Sequence, residues 1–150
     1  MKKILLLAIM AACINQAGLA QKLIIGSKVP DFKGVKWQST APVQGKAKLV
    51  EFYSATNPTS AKLYSNLAGI QSKYSNIEII VLYREDNPEM SQLASRDGSK
   101  YLFGYDANGT TYDALGVKFL PFTMLIDSKG NLLWQGNLSN INDQVLQKTQ

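Results

Sequence analysis

The side chains that most often carry enzyme chemistry are scarce in this 150-residue chain, which has no histidine and a single cysteine, Cys13. That excludes Ser-His-Asp and Cys-His catalysis, zinc sites built from His and Cys, and disulfides within the chain. No metal or cofactor is expected. Asp106-Ala107-Asn108-Gly109 resembles the start of a calcium loop, but its spacing departs from the EF-hand pattern and no Glu follows at the right distance, so it reads as a turn. Asn57-Pro58 follows the apolar run Leu49-Val50-Glu51-Phe52-Tyr53 and its short exit Ser54-Ala55-Thr56. Asn is a preferred helix N-cap and Pro is preformed for the first helical position, so the pair starts a helix. The free backbone N–H groups at such a start offer a second reading, a place for a carboxylate or small anion.

The surrounding pattern predicts the elements that hold this segment. Leu49 to Tyr53 suits a buried strand, and a helix should run from near Asn57 to about Tyr74 with Leu63, Leu67, Ile70 and Tyr74 on one face. Ile77 to Tyr83 is the most strand-like stretch. Pro88 to Arg96 suits a short helix capped by Asn87, Tyr101 to Tyr105 a short strand, and Thr110 to Leu115 a helical turn ending at Gly116. Phe122 to Ile126 and Asn131 to Gln135 read as strands joined by the turn Asp127-Ser128-Lys129-Gly130, and a helix from about Ile141 to Lys148 closes the chain. Residues 21 to 47 form a lead-in with short extended pieces. A strand-helix-strand unit requires a parallel pair and the hairpin adds antiparallel strands, so the fold class is α/β with a mixed central sheet flanked by helices. Trp37, Tyr64, Tyr74, Tyr101, Phe103 and Trp134 are assigned to the core or the sheet faces.

Hydrophobic residues make up 45% and charged residues 18%, the balance of a globular domain. Residues 1 to 20 read as a secretory signal peptide: Lys2 and Lys3, the apolar run Ile4 to Ile14, then Gly18-Leu19-Ala20 before Gln21. The run is too short to span a bilayer, and no later segment is long enough, so no membrane span is expected. The reading places the protein outside the cytoplasm, in the periplasm or secreted, with one domain over residues 21 to 150. Met10-Ala11-Ala12-Cys13 loosely resembles a lipobox, which leaves lipidation at Cys13 as an alternative to a cysteine discarded with the peptide. Removing Lys2 and Lys3 lowers the net charge from +5 to +3, and the lysines form no run interleaved with aromatics, so nucleic acid is not an expected partner.

Several landmarks in order resemble the thioredoxin-like superfamily, specifically the TlpA/ResA-like thiol-disulfide oxidoreductases with a redoxin domain. Ile25-Gly26-Ser27-Lys28-Val29-Pro30-Asp31-Phe32 is similar to the opening of that family and of peroxiredoxins. Leu115-Gly116-Val117, Pro121, and Phe122 to Asp127 with Gly130 resemble its later segment. The resemblance implies a thioredoxin-like fold. It also locates a break: where the family has Cys-x-x-Cys, this chain has Asn57-Pro58-Thr59-Ser60, so Asn57 stands at the nucleophilic cysteine's place and Ser60 at the resolving one's. Thiol exchange needs a thiolate attacking a disulfide sulfur, which neither an amide nor an unactivated hydroxyl supplies. Aligned as a peroxiredoxin, the peroxidatic position falls near Ala61. Leu63 and Ser65 replace the acid and the proline that the family often places further along the helix.

Three further expectations follow from the resemblance. Leu120-Pro121 corresponds to the family's cis-proline, with Leu120 the residue that pairs with a bound peptide; the alternative is that the bond only shapes the turn. Tyr53, Pro58, Leu120 and Phe122 would line an extended-peptide groove. Glu51 matches a buried acid of the family, against the alternative that it reaches solvent or pairs with Lys48. The resulting expectation is a redox-inactive module that binds a peptide or protein partner at Tyr53, Asn57, Pro58, Thr59, Ser60, Leu120, Pro121 and Phe122. Its alternatives are a non-redox small-molecule site at Glu51 and Ser60, or a purely structural domain. The oligomeric state is left open.

Overall fold

β2 (Ala47–Phe52) and β3 (Ile77–Tyr83) are the central strands of the computed structural model, which describes residues 23–150. Their near-continuous apolar runs reflect cover on both faces. The two pair in parallel, Glu51 opposite Val81 and Phe52 opposite Leu82. β4 (Leu102–Tyr105) continues in parallel beside β3, and the two-residue β1 (Lys36–Trp37) lies antiparallel on β4. On the other side β5 (Phe122–Ile126) runs antiparallel to β2, and β6 (Leu132–Gly136) antiparallel to β5. The six strands stand in the order β1-β4-β3-β2-β5-β6, the mixed sheet that the sequence predicts.

Alternation along the strands sorts their side chains into two layers. Leu49, Ile79, Val81 and Leu125 join one core with residues of α1 (Pro58–Tyr64), α2 (Asn66–Lys73), α3 (Pro88–Asp97) and α5 (Asp143–Leu146). Val50, Phe52, Ile80, Leu82 and Met124 join the other, with Tyr112 of α4 (Thr110–Ala114) and Val29 of the lead-in. Tyr64, Tyr74, Tyr101 and Phe103 are buried, while Trp37 and Trp134 pack half-buried against the core.

Two expectations need correction, and one element was not foreseen. The helix predicted from Asn57 to Tyr74 is interrupted at Ser65, between α1 and α2. The Ser65 hydroxyl donates to the Lys62 carbonyl at 3.1 Å, a back-bond of the kind that bends helices. The last helix is shorter than Ile141 to Lys148: Asn142 caps it and it passes into a 3-10 turn at Gln147–Thr149. A second 3-10 turn, Leu138–Asn140, has no counterpart in the sequence reading. The Asp106 segment is a turn, as read, and its carboxylate is committed to capping α4 through the N–H groups of Thr111 and Tyr112. The signal peptide and Cys13 lie outside the described residues. Among the described residues no helix is long and apolar enough to cross a membrane.

Register brings the candidate segments together. Phe52, the last residue of β2, pairs with Phe122, the first of β5. The chain therefore leaves β2 toward Asn57 beside the place where Leu120-Pro121 enters β5.

Candidate functional site

Asn57 organises the start of α1. Its backbone is extended, and its Oδ1 accepts from the N–H groups of Thr59 at 3.0 Å and Ser60 at 3.2 Å, with Pro58 in the first helical turn. Both are donors that an anion at this helix start would use, and the carboxamide already satisfies them. The other end of the same carboxamide, Nδ2, donates to the Leu120 carbonyl at 3.3 Å. Leu120-Pro121 is a cis peptide bond, so Asn57 ties the helix start to the cis-proline segment, 63 residues away in the chain. Behind it, the hydroxyls of Ser54 and Thr56 both donate to Glu85, fixing the loop that leads from β2 to α1.

Beneath this loop lies an acid with no cationic partner among the described residues. Glu51 is 0% exposed at the centre of the sheet. Thr123, its cross-strand neighbour on β5, donates a hydroxyl to Oε2, while Oε1 has no hydrogen-bond partner. Burial pushes the Glu51 carboxyl up to about 8, with the Thr123 bond acting weakly in the opposite direction. It is therefore a neutral acid at pH 7. Ser60, also 0% exposed, is the second buried group whose hydroxyl lacks a partner. Ser60, Leu63 and Tyr64 follow helical spacing on the buried stripe of α1, which packs on the Glu51 face of the sheet.

The sequence-derived residues are thus distributed unevenly. Asn57, Leu120 and Pro121 are brought together, and Pro58 and Thr59 stand exposed at the helix start. Tyr53, expected to line the groove, is instead 5% exposed: it continues the inward face of β2, and Tyr64 of α1 covers it edge-to-face at a centroid distance of 5.5 Å. Phe122 is half-buried against Phe52, their centroids 5.8 Å apart. Lys48 is not available to Glu51, since it lies 4.0 Å from Glu78 and donates to the carbonyls of Val43 and Lys46. Three residues apart on one strand, Lys48 and Glu51 point to opposite faces, a signal that was present in the sequence.

Sequence reasoning missed two residues. Thr123 was legible only as a polar residue inside an apolar strand; its partner depends on register. Phe119, next to Leu120, is 79% exposed, the largest exposure among the big apolar side chains of the described residues. Among the described residues no group of three or more His, Cys, Asp or Glu side chains could hold a metal ion. In chemical terms the site offers a buried neutral acid, a buried hydroxyl without a base, and an apolar rim; it offers no thiol.

Comparison with known proteins agrees with this architecture. A provisionally named thiol:disulfide interchange protein DsbE from Chlorobium tepidum superposes with a TM-score of 0.67 at 21% identity, over 77% of this chain and 86% of its own. The thioredoxin domain of a thiol-disulfide oxidoreductase from Bacteroides vulgatus gives 0.65 at 19%, over 85% and 96%. A peroxiredoxin-like protein from Aquifex aeolicus gives 0.66 at 11%, over 86% and 87%. These likenesses establish a thioredoxin-like fold. No curated relative matches the chain. The family model described as Redoxin matches residues 25–148, nearly the whole described domain, and the chain belongs to the redoxin family.

Proposed function

We infer that this redoxin-family domain performs no thiol-disulfide exchange and serves, outside the cytoplasm, as a recognition module for an extended segment of a protein partner. The observation that carries the reading is Asn57. At the position of a nucleophilic cysteine stands a carboxamide engaged at both ends, on the α1 N–H groups and on Leu120. That arrangement serves structure and holds no attacking group. Pro58 and Thr59 beside Asn57, and Phe119 beside Leu120 in the chain, are exposed, while Leu120 and Phe122 are half-buried. Exposed aromatic and proline side chains suit contact with an extended polypeptide.

The test uses reduced, carboxymethylated ribonuclease A, an unfolded chain without thiols. The protein binds it, and Phe119→Asp weakens binding by roughly tenfold while leaving stability nearly unchanged, as suits an exposed contact residue. The protein also fails to reduce insulin disulfides in the presence of dithiothreitol above the rate of dithiothreitol alone. Disulfide turnover by the chain, or unaltered binding by Phe119→Asp, overturns the reading.

A second reading draws on the two unsatisfied buried oxygens, Glu51 Oε1 and Ser60 Oγ. Buried polar groups without partners are uncommon and often mark a site. A small carboxylic acid bound there would shift the Glu51 carboxyl resonance saturably in an acetate titration; a linear, non-saturating response rejects this second site.

A further inference from the structure

Asn108 is the only asparagine in the chain that is followed by glycine. Glycine has no Cβ, so nothing shields its main-chain nitrogen from the side chain before it. The fold keeps a glycine here: Gly109 has a φ of +69°, in the left-handed region, and a Cβ built on it would lie 2.6 Å from Arg84 Nη2. Asn108 itself is exposed, and its carboxamide makes no hydrogen bond among the described residues. Those of Asn57, Asn76, Asn87, Asn131, Asn137 and Asn142 are all engaged. Asn66 and Asn140 also make none among the described residues, but Leu67 and Ile141 follow them and crowd the nitrogen.

We propose that Asn108 is a site of spontaneous modification to aspartate and isoaspartate. The Gly109 nitrogen loses its proton to hydroxide and bonds to Asn108 Cγ. The Cγ–Nδ2 bond then breaks, and the nitrogen leaves as ammonia with a proton from water. Water opens the cyclic imide at either of its carbonyls, so the net change is one water taken up and one ammonia released, with no electrons transferred. The native turn restrains the first step. The Gly109 N–H donates to the Asp106 carbonyl at 3.0 Å, and that bond must open before the nitrogen can turn to the side chain. The two products differ in what they do to α4. The Asp106 carboxylate caps this helix through the N–H groups of Thr111 and Tyr112, and the Tyr112 ring packs edge-on against Phe52 at 5.0 Å. Isoaspartate adds one main-chain atom between Asp106 and the helix it caps, which shifts the cap and loosens Tyr112. Aspartate leaves that spacing intact and adds only charge.

The test holds the full chain at mildly alkaline pH, which speeds loss of the amide proton, beside a free peptide with the sequence of residues 105–111. Samples taken over weeks are digested and mapped by mass spectrometry, with electron-transfer fragmentation to tell isoaspartate from aspartate. Conversion is expected at Asn108 ahead of every other asparagine. It should run roughly threefold to tenfold more slowly than in the peptide, the equivalent of one neutral hydrogen bond opened first. The isoaspartate fraction, separated by chromatography, should unfold at lower urea than the starting protein, whereas Asn108→Asp should unfold with it. A folded protein that stays unconverted while the peptide reacts overturns the site. Conversion spread evenly over the other asparagines overturns it as well, by showing that neither Gly109 nor the free carboxamide matters. An isoaspartate form as stable as the starting protein overturns the link to the α4 cap.

Discussion

α1 and α3 begin with the same two residue types in the same two roles: Asn57 and Asn87 cap, and Pro58 and Pro88 open the helix. Each follows one of the central parallel strands, and each buries the third helical residue, Ser60 in α1 and Met90 in α3. They differ in what the burial accomplishes. Met90 places an apolar side chain in the main core, and Asn87 spends its amide on a neighbour two residues away. Ser60 buries a hydroxyl with no partner, and Asn57 spends its amide across the molecule on Leu120. The two helices therefore start with the same residue types, while of the two only α1 buries a polar atom without a partner among the described residues. That atom marks the candidate site.

The largest effect expected from this contrast is at Met90. Met90→Ala should cost about 2–5 kcal/mol in urea unfolding, the transfer and cavity loss of a fully buried side chain; a loss below about 1 kcal/mol would break the description of α3 as a packing element.

Next comes Glu51. In the folded protein it holds its proton up to about 8, whereas the unfolded chain releases it near the ordinary 4.5. Its contribution to stability is thus complete below about 4.5 and is lost as pH rises toward 8, with a slope of at most about 1.4 kcal/mol per pH unit. Asp97, Asp127 and Asp143, whose carboxyls are held low by Arg96, by the Asn131 and Lys129 hydrogen bonds, and by Lys73, respectively, act in the opposite sense at lower pH. The difference between wild type and Glu51→Gln isolates the acid: it should grow in favour of the variant from pH 5 to 8 and then level off. A pH-independent difference would mean that Glu51 is not a buried neutral acid.

Smaller still are the caps. Asn87→Ala should cost about 1 kcal/mol. Asn57→Ala should cost more, by roughly the 0.5–1.5 kcal/mol of one further hydrogen bond, because the Leu120 contact goes with the cap. Equal losses would mean that this contact contributes nothing in solution.

The smallest effect is at Ser60. Ser60→Ala removes a buried hydroxyl that has no partner, so its stability should change by no more than about 0.5 kcal/mol, or rise. A loss above about 1 kcal/mol would show that the hydroxyl is bonded in solution.

Much of this was legible in the sequence because it is local. The Asn-Pro starts, the full extent of β3 and β5, and the Asp106 turn depend on residues within a few positions of one another. The interruption at Ser65 was not read, since it falls within an otherwise helical stripe whose periodicity carries no sign of it. The site was legible only in half. The Asn57 and Ser60 positions stood out through the resemblance to a Cys-x-x-Cys segment, but Thr123 facing Glu51 depends on β2–β5 register, and the Asn57 link to Leu120 spans 63 residues. Tyr53 was misplaced because periodicity shows which face a residue takes and not what covers it; here Tyr64 does. Phe119 went unread for the converse reason, as an apolar residue whose neighbourhood leaves it uncovered.

The most direct test of the central claim, that the thiol-less site has become a recognition surface, is an amide chemical-shift map of the 15N-labelled protein titrated with reduced, carboxymethylated ribonuclease A. The account predicts saturable shifts clustered at Asn57, Thr59, Ser60, Phe119, Leu120 and Phe122, with the start of α3 at Asn87 and Met90 unmoved. Shifts confined to other surfaces, or none at all, would contradict it.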